Sequence, residues 1–158
     1  MTGGAARVRI VGALDIDWRE RVEELLFFNP QQALLEQRIL KSICVFGLPR
    51  VLPDGRSLRV EVGASQPVGT LFALVERDGG DDLAGVLLFL RREAELTCVH
   101  LSIAEQYTAR GARASLRVTG HLLDGLRAIG MRIAGVEYIA IFYKEQGWYT
   151  LPLSTRLS

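Results

Sequence analysis

The chain has 158 residues, 49% of them hydrophobic and 23% charged, with 19 basic side chains against 18 acidic for a net charge of +1. That length suits one domain able to bury a sizeable core. The balanced charge offers no general footing for nucleic acid or an acidic membrane surface, both of which need a basic patch.

Residues 1–6 read as a short frayed tail without the features of a signal peptide. Arg7 to Leu14 alternates as a first strand. Asp17 stands three residues before Glu20, the spacing of a capping box, and Trp18, Val22, Leu25 and Leu26 follow at helical spacing. Asn29-Pro30 ends that helix and starts another over Gln31 to about Cys44, which Gly47 and Pro49 stop.

The middle of the chain is rich in strand formers. Pro53-Asp54-Gly55-Arg56 is a turn, and Ser57 to Val62 alternates as a strand. Gly69 to Glu76 and Leu83 to Arg91 form a hairpin about the turn Arg77 to Asp81. The second of these is apolar on both faces, which places it centrally in a sheet. Leu96 to Ile103 follows as the third strand of an antiparallel meander and ends at the polar turn Ala104-Glu105-Gln106.

Tyr107 to Ala114 is a loop. From Ser115 the residues Leu116, Leu122, Leu123, Leu126 and Ile129 give one apolar helix face, with Ser115 as N-cap and Gly130 as stop. Such a helix start offers unpaired N–H groups and a positive dipole end, which suit a phosphate. Val136 to Tyr143 reads as one strand; the alternative is a short strand over Met131 to Ala134 and a short helix over Glu137 to Gln146. Trp148 to Leu153 is a last strand. The sum is a single α+β domain over residues 1–158, with a mostly antiparallel central sheet and one βαβ crossover.

Cys44 and Cys98 lack CxxC spacing or a nearby His set, so no metal site is expected, and two reduced thiols suit a cytoplasmic protein. No apolar run approaches the ~20 residues of a membrane span. His100 shares a strand face with Cys98 and Ser102 by simple alternation, with Glu95 and Leu101 on the other face. Residues two apart on a strand stand about 7 Å apart, too far for a direct Cys–His bond, so both read as structural. His121 falls on the exposed or half-buried side of its helix.

The element order over nearly the whole chain resembles the GNAT superfamily of N-acetyltransferases. Two stretches carry the local likeness: VHLSIAEQYTARGARASL, and Phe142-Tyr143-Lys144-Glu145-Gln146-Gly147-Trp148. The resemblance implies a three-layer fold with helices on both faces of the sheet. It implies acyl transfer from acetyl-CoA or another acyl-CoA to a small-molecule amine, by direct attack on the thioester.

On that resemblance, the backbone of Leu101, Ser102 and Ile103 holds the pantetheine arm or the carbonyl. Arg110, Gly111, Ala112, Arg113, Ala114 and Ser115 hold the diphosphate, and Tyr143 protonates the thiolate. Glu95 and Glu105 are the nearest carboxylates to deprotonate the amine, and Phe27, Phe28 and Leu34 would form the acceptor wall. The chain departs from the pattern in its loop. Arg113 stands where the family's first motif Gly would be and Ser115 where its second small residue would be. Two alternatives follow: a donor carried by acyl carrier protein, as in N-acyl amino acid synthases, or an inactive binding module of the same fold. No nucleic-acid or membrane partner is expected, and a homodimer is compatible with this reading.

Overall fold

A computed structural model describes residues 6–27, 49–63, 66–108, 111–143 and 147–153, with the backbone alone at 66–67, 142–143 and 147–151. The protein is α+β. Among the described residues its main sheet has six strands: β1 (Arg7–Val11), β5 (Gly69–Arg77), β6 (Gly80–Arg92), β7 (Glu95–Ile103), β8 (Tyr138–Tyr143) and β9 (Gly147–Pro152). They lie in the order β1-β5-β6-β7-β8-β9. Every pair is antiparallel except β7 with β8, which is parallel. The connection across that pair runs through the helix Val118–Arg132, here α2, which makes a βαβ crossover.

A second sheet of three strands contains β2 (Pro49–Asp54), β3 (Ser57–Val62) and β4 (Gln66–Pro67). Its strand β2 is a correction to the sequence reading, which took Pro49 as a helix stop and Pro53 as part of a turn. Proline is tolerated here because β2 is an edge strand. The turn itself is as expected: Gly55 at φ 63 closes the β2–β3 hairpin. Backbone bonds from Ile16 N to Arg56 O (2.9 Å) and Leu58 N to Leu14 O (3.0 Å) tie this sheet to the segment after β1.

Helices lie on both faces of the main sheet, as strand parity shows. A Cβ added at Gly85 of β6 would come within 2.9 Å of Ile103 and of Leu122 on α2. Ile103 therefore faces α2. Its neighbour Ser102 points the other way, and its Oγ donates to the Leu25 carbonyl of α1 (Arg19–Phe27) at 2.6 Å. The core is continuous through the sheet, from Val22, Leu25 and Leu26 under α1 to Val118, Leu122 and Leu126 under α2.

Three element boundaries differ from the sequence reading. Asp17 is not the cap: Asp15 accepts from the Asp17 N–H at 2.9 Å, starts a 3-10 turn over Ile16–Trp18, and α1 follows at Arg19. The second long helix begins at Val118 rather than Ser115. Gly130 does not stop it. Gly130 is buried inside α2, where an added Cβ would meet Leu153 at 2.6 Å and Leu96 at 3.4 Å, so it serves close helix–sheet packing. The expected helix over Gln31 to Cys44 lies outside the described residues.

Candidate functional site

The parallel pair β7–β8 parts halfway along. Pairing runs from Glu95–Tyr138 to Cys98–Ile141, and β7 continues to Ile103 with β6 as its only ladder partner among the described residues. The gap opens at the carboxyl ends of both strands, beside the start of α2. In sheets with parallel neighbours, ligands settle in the crevice beyond the carboxyl ends of the strands.

A bulge sits at the point of divergence. The β6–β7 register steps from Leu88–His100 to Phe89–Cys98, so Val99 is an extra residue on β7. This inverts the expected faces. Leu96 lies against α2, as its contact at Gly130 shows, and Cys98 shares that side. Glu95 and Thr97 lie on the α1 side, and beyond the bulge so do His100 and Ser102. Simple alternation had put His100 with Cys98 and opposite Glu95; the inserted Val99 corrects both placements.

Among the described residues, His100 carries the one buried side-chain polar atom without a hydrogen-bond partner, its Nε2. Burial takes its pKa down to about 4, so the ring is neutral. Cys98 Sγ approaches the His100 carbonyl at 3.6 Å. Glu95 is half-buried and accepts from Thr97 Oγ1 at 3.3 Å. Glu105 is exposed in a 3-10 turn, Glu105–Tyr107, on the far side of the bulge from Glu95. The two carboxylates are therefore not brought together.

The loop between β7 and α2 is held tightly to itself. Gly111 N donates to Thr108 O (2.9 Å), Arg113 N to Gln106 O (2.7 Å) and Ala114 N to Gly111 O (3.3 Å). These N–H groups are spent inside the loop. A Cβ on Gly111 would lie 2.3 Å from Glu105 O and 2.4 Å from the Gln106 carbonyl, so glycine is required there by the protein's own backbone. Ala114–Leu116 form a further 3-10 turn, and Arg117 adopts the left-handed conformation (φ 51, ψ 48) as N-cap of α2. The first intrahelical bond is His121 N to Arg117 O at 3.1 Å. The N–H groups left at the helix start are thus those of Val118, Thr119 and Gly120, beyond the expected Ala112 to Ser115. His121 is exposed on that first turn, and Arg110 lies outside the described residues.

A polar brace fixes the loop to the hairpin below. The Tyr107 hydroxyl donates to Asp82 Oδ2 at 2.7 Å and accepts from Arg77 Nη2. Gln106 Nε2 donates to the same carboxylate at 3.0 Å, and Arg21 of α1 stands 3.9 Å from its other oxygen. Burial, and then the Asp82 carboxylate, push the Tyr107 pKa up. The sequence reading gave Tyr107 no role beyond opening a loop. A tyrosine four residues past the end of β7, with Asp-Asp-Leu near the start of β6, carries no local pattern that reveals the pair.

Tyr143 ends β8 and pairs with Gly147 across the β8–β9 hairpin. The short-helix alternative over residues 137–146 is excluded for Tyr138–Tyr143, which are strand. The Tyr143 side chain, like Phe28, Leu34 and Cys44, lies outside the described residues, while Phe27 is half-buried at the end of α1. Among the described residues no group of three or more His, Cys, Asp or Glu could hold a metal ion, and no helix is long and apolar enough to cross a membrane. Comparison with protein-family models, curated proteins and solved structures finds no match.

Proposed function

We propose that the chain is an acyltransferase of the GNAT type, moving an acyl group from a coenzyme A thioester to an amine. The observation that carries this reading is the parting of β7 from β8 after Cys98–Ile141, with α2 starting beside the gap. A narrow arm such as pantetheine fits between two diverging strands. β7 from Leu101 to Ile103 lines one wall. The diphosphate then meets the start of α2 at Val118 to Gly120, where the helix dipole favours anions. Tyr143, at the end of the facing strand, remains the proposed donor of a proton to the departing sulfur.

One observation favours a second reading, the inactive binding module: Gly111, Arg113 and Ala114 use their N–H groups within the loop. Calorimetry with coenzyme A separates the two, followed by thiol release from acetyl-CoA in the presence of a panel of amines. Binding with turnover supports transfer. A folded chain that binds no coenzyme A and releases no thiol refutes it.

A further inference from the structure

One carboxylate joins the two helical layers at the end of the sheet where the site opens. Asp82 precedes Gly85, the β6 partner of Ile103 at the end of β7. Its Oδ2 accepts from the Tyr107 hydroxyl at 2.7 Å, from Gln106 Nε2 at 3.0 Å and from Arg77 Nη2 at 3.5 Å. Its Oδ1 faces Arg21 Nη2 of α1 at 3.9 Å, and that nitrogen also donates to the Leu83 carbonyl at 3.5 Å.

The turn held by Asp82 begins a chain of backbone bonds that ends at α2. Gln106 O accepts from Arg113 N at 2.7 Å and Arg113 O from Leu116 N at 3.1 Å. Ala114 O accepts from Arg117 N at 3.1 Å, and Arg117 O from His121 N at 3.1 Å. Gly111 closes this arrangement with no room for a Cβ, so the turn at 105–107 and the segment at 111–117 move as one body. Backbone fastens that body to the sheet through Ala104 N to Ala84 O at 2.8 Å. Among the described residues of 104–117, only Tyr107 and Gln106 use their side chains to bond outside it.

We propose that Asp82 is a positioning residue for the coenzyme: it fixes the 105–107 turn and, through it, the place of the Val118 to Gly120 N–H groups that would meet the diphosphate. This rests on the acyltransferase reading. Charge alone predicts the opposite effect. A carboxylate near an anion site repels the anion, so its removal would tighten binding, the more so as Arg77 and Arg21 lose their shared anion. Positioning predicts weaker binding, because donors aimed at an anion lose their grip when the element that carries them shifts.

The effect is also confined to donors that carry the diphosphate. S-acetylpantetheine has the same thioester and the same arm but ends before the diphosphate, so it makes no demand on the start of α2. A substitution that merely unsettled the protein would harm both donors alike.

The test uses the full chain at neutral pH. Calorimetry measures coenzyme A affinity, and thiol release is followed from acetyl-CoA and from S-acetylpantetheine with the best amine of the panel. Asp82→Ala is expected to bind coenzyme A about tenfold more weakly and to raise the KM for acetyl-CoA to match. Its kcat on acetyl-CoA and its kcat/KM on S-acetylpantetheine should stay within about twofold of the parent. Asp81→Ala is the control: it removes the same charge from the adjacent residue, which pairs with Arg9 at 3.1 Å rather than with the loop, and should leave both donors unchanged. Gln106→Ala, at an exposed position, should weaken coenzyme A by about threefold with the same selectivity, and decides the matter if Asp82→Ala does not fold. Unchanged or tighter coenzyme A binding, equal losses on the two donors, or a matching loss in Asp81→Ala overturns the proposal.

Amide hydrogen exchange needs no ligand. The Arg113 N–H should exchange faster in Asp82→Ala than in the parent, while the Leu126 N–H within α2 keeps its rate. Faster exchange at Arg113 in a chain that binds no coenzyme A would keep the anchor and refute the transferase reading. Coenzyme A binding without that faster exchange would do the reverse.

Discussion

Replacing Gly111 with alanine tests whether the loop before α2 is held by its own backbone. The added methyl would lie 2.3 Å from Glu105 O and 2.4 Å from the carbon and oxygen of the Gln106 carbonyl. All three atoms are backbone, and Gln106 O already accepts from Arg113 N at 2.7 Å. The contact cannot be relieved by turning a side chain, so the 105–107 turn and the 111–114 segment must separate. That sacrifices the Arg113–Gln106 bond and strains Gly111 N to Thr108 O. At about 1 kcal/mol for each backbone bond, with overpacking as the alternative route at similar cost, Gly111→Ala should lose about 2 kcal/mol.

In a chain of this size that corresponds to a melting point roughly 4–8 °C lower. Gly120→Ala is the control. It is exposed in the first turn of α2, with nothing nearer an added Cβ than Arg117 at 4.0 Å, and should gain up to ~1 kcal/mol from helix propensity. Urea unfolding of both variants measures the difference. If Gly111→Ala melts within about 1 °C of the parent, the loop is not closed on itself and this account of it fails. The same geometry means that loss of ligand binding in a Gly111 variant would not identify a phosphate cradle, since the loop breaks first.

Tyr107→Phe removes a hydroxyl that donates to Asp82 at 2.7 Å and should cost about 1.5–3 kcal/mol, read by urea unfolding; an unchanged midpoint would show that the brace adds no stability. His100 makes stability depend on pH. Its folded pKa of about 4 lies below the ordinary 6.5, so the unfolded chain binds the proton more tightly. That stability is whole above pH 6.5 and falls toward pH 4, by about 3 kcal/mol over the window, and His100→Leu should flatten this limb. Equal slopes for parent and variant across that window would show that the ring is not held neutral by burial. Arg117→Gly should raise the melting point, by relieving a left-handed residue at a cost of roughly 1 kcal/mol, whereas Arg113→Gly, at φ −116, should lower it. Thermal melts of the two variants that move together would refute the distinction.

The strands of the meander were legible because each is longer than its turn and dense in β-branched or leucine residues. Ser57–Val62 came out to the residue, and β5, β6 and β7 within a few positions of their ends. The α+β class followed from that order. β2 was not legible, because Pro49 and Pro53 are stop signals by local rule and only an edge position makes them acceptable. The helix start was misplaced because Ser115 is a good cap by residue type, yet two short 3-10 turns use up the chain before Val118. Gly130 looked like a terminator because a sequence does not say that Leu153 returns against it. The candidate site was legible only in outline. The segments that bound it were identified, but His100 and Glu95 were assigned to opposite faces, since alternation counts residues and cannot see an inserted one.

That inserted residue links the two features on which the site rests. A bulge adds local twist and bends its strand, and Val99 sits one position after the last β7–β8 pair, Cys98–Ile141. A straight β7 would continue in register beside β8 and leave no gap. It would also turn residues 100–103 over, carrying His100 and Ser102 to the α2 side and Ile103 to the α1 side. Ser102 would then lose the Leu25 carbonyl, and the Ile103 contact beneath α2 at Gly85 would be lost with it. The bond from Ser102 to α1 therefore pins the register that the bulge creates. The parting of the strands and the side to which His100 points are consequences of the same extra residue, so a change at Val99 that restored plain alternation would close the gap and remove the imidazole from it together.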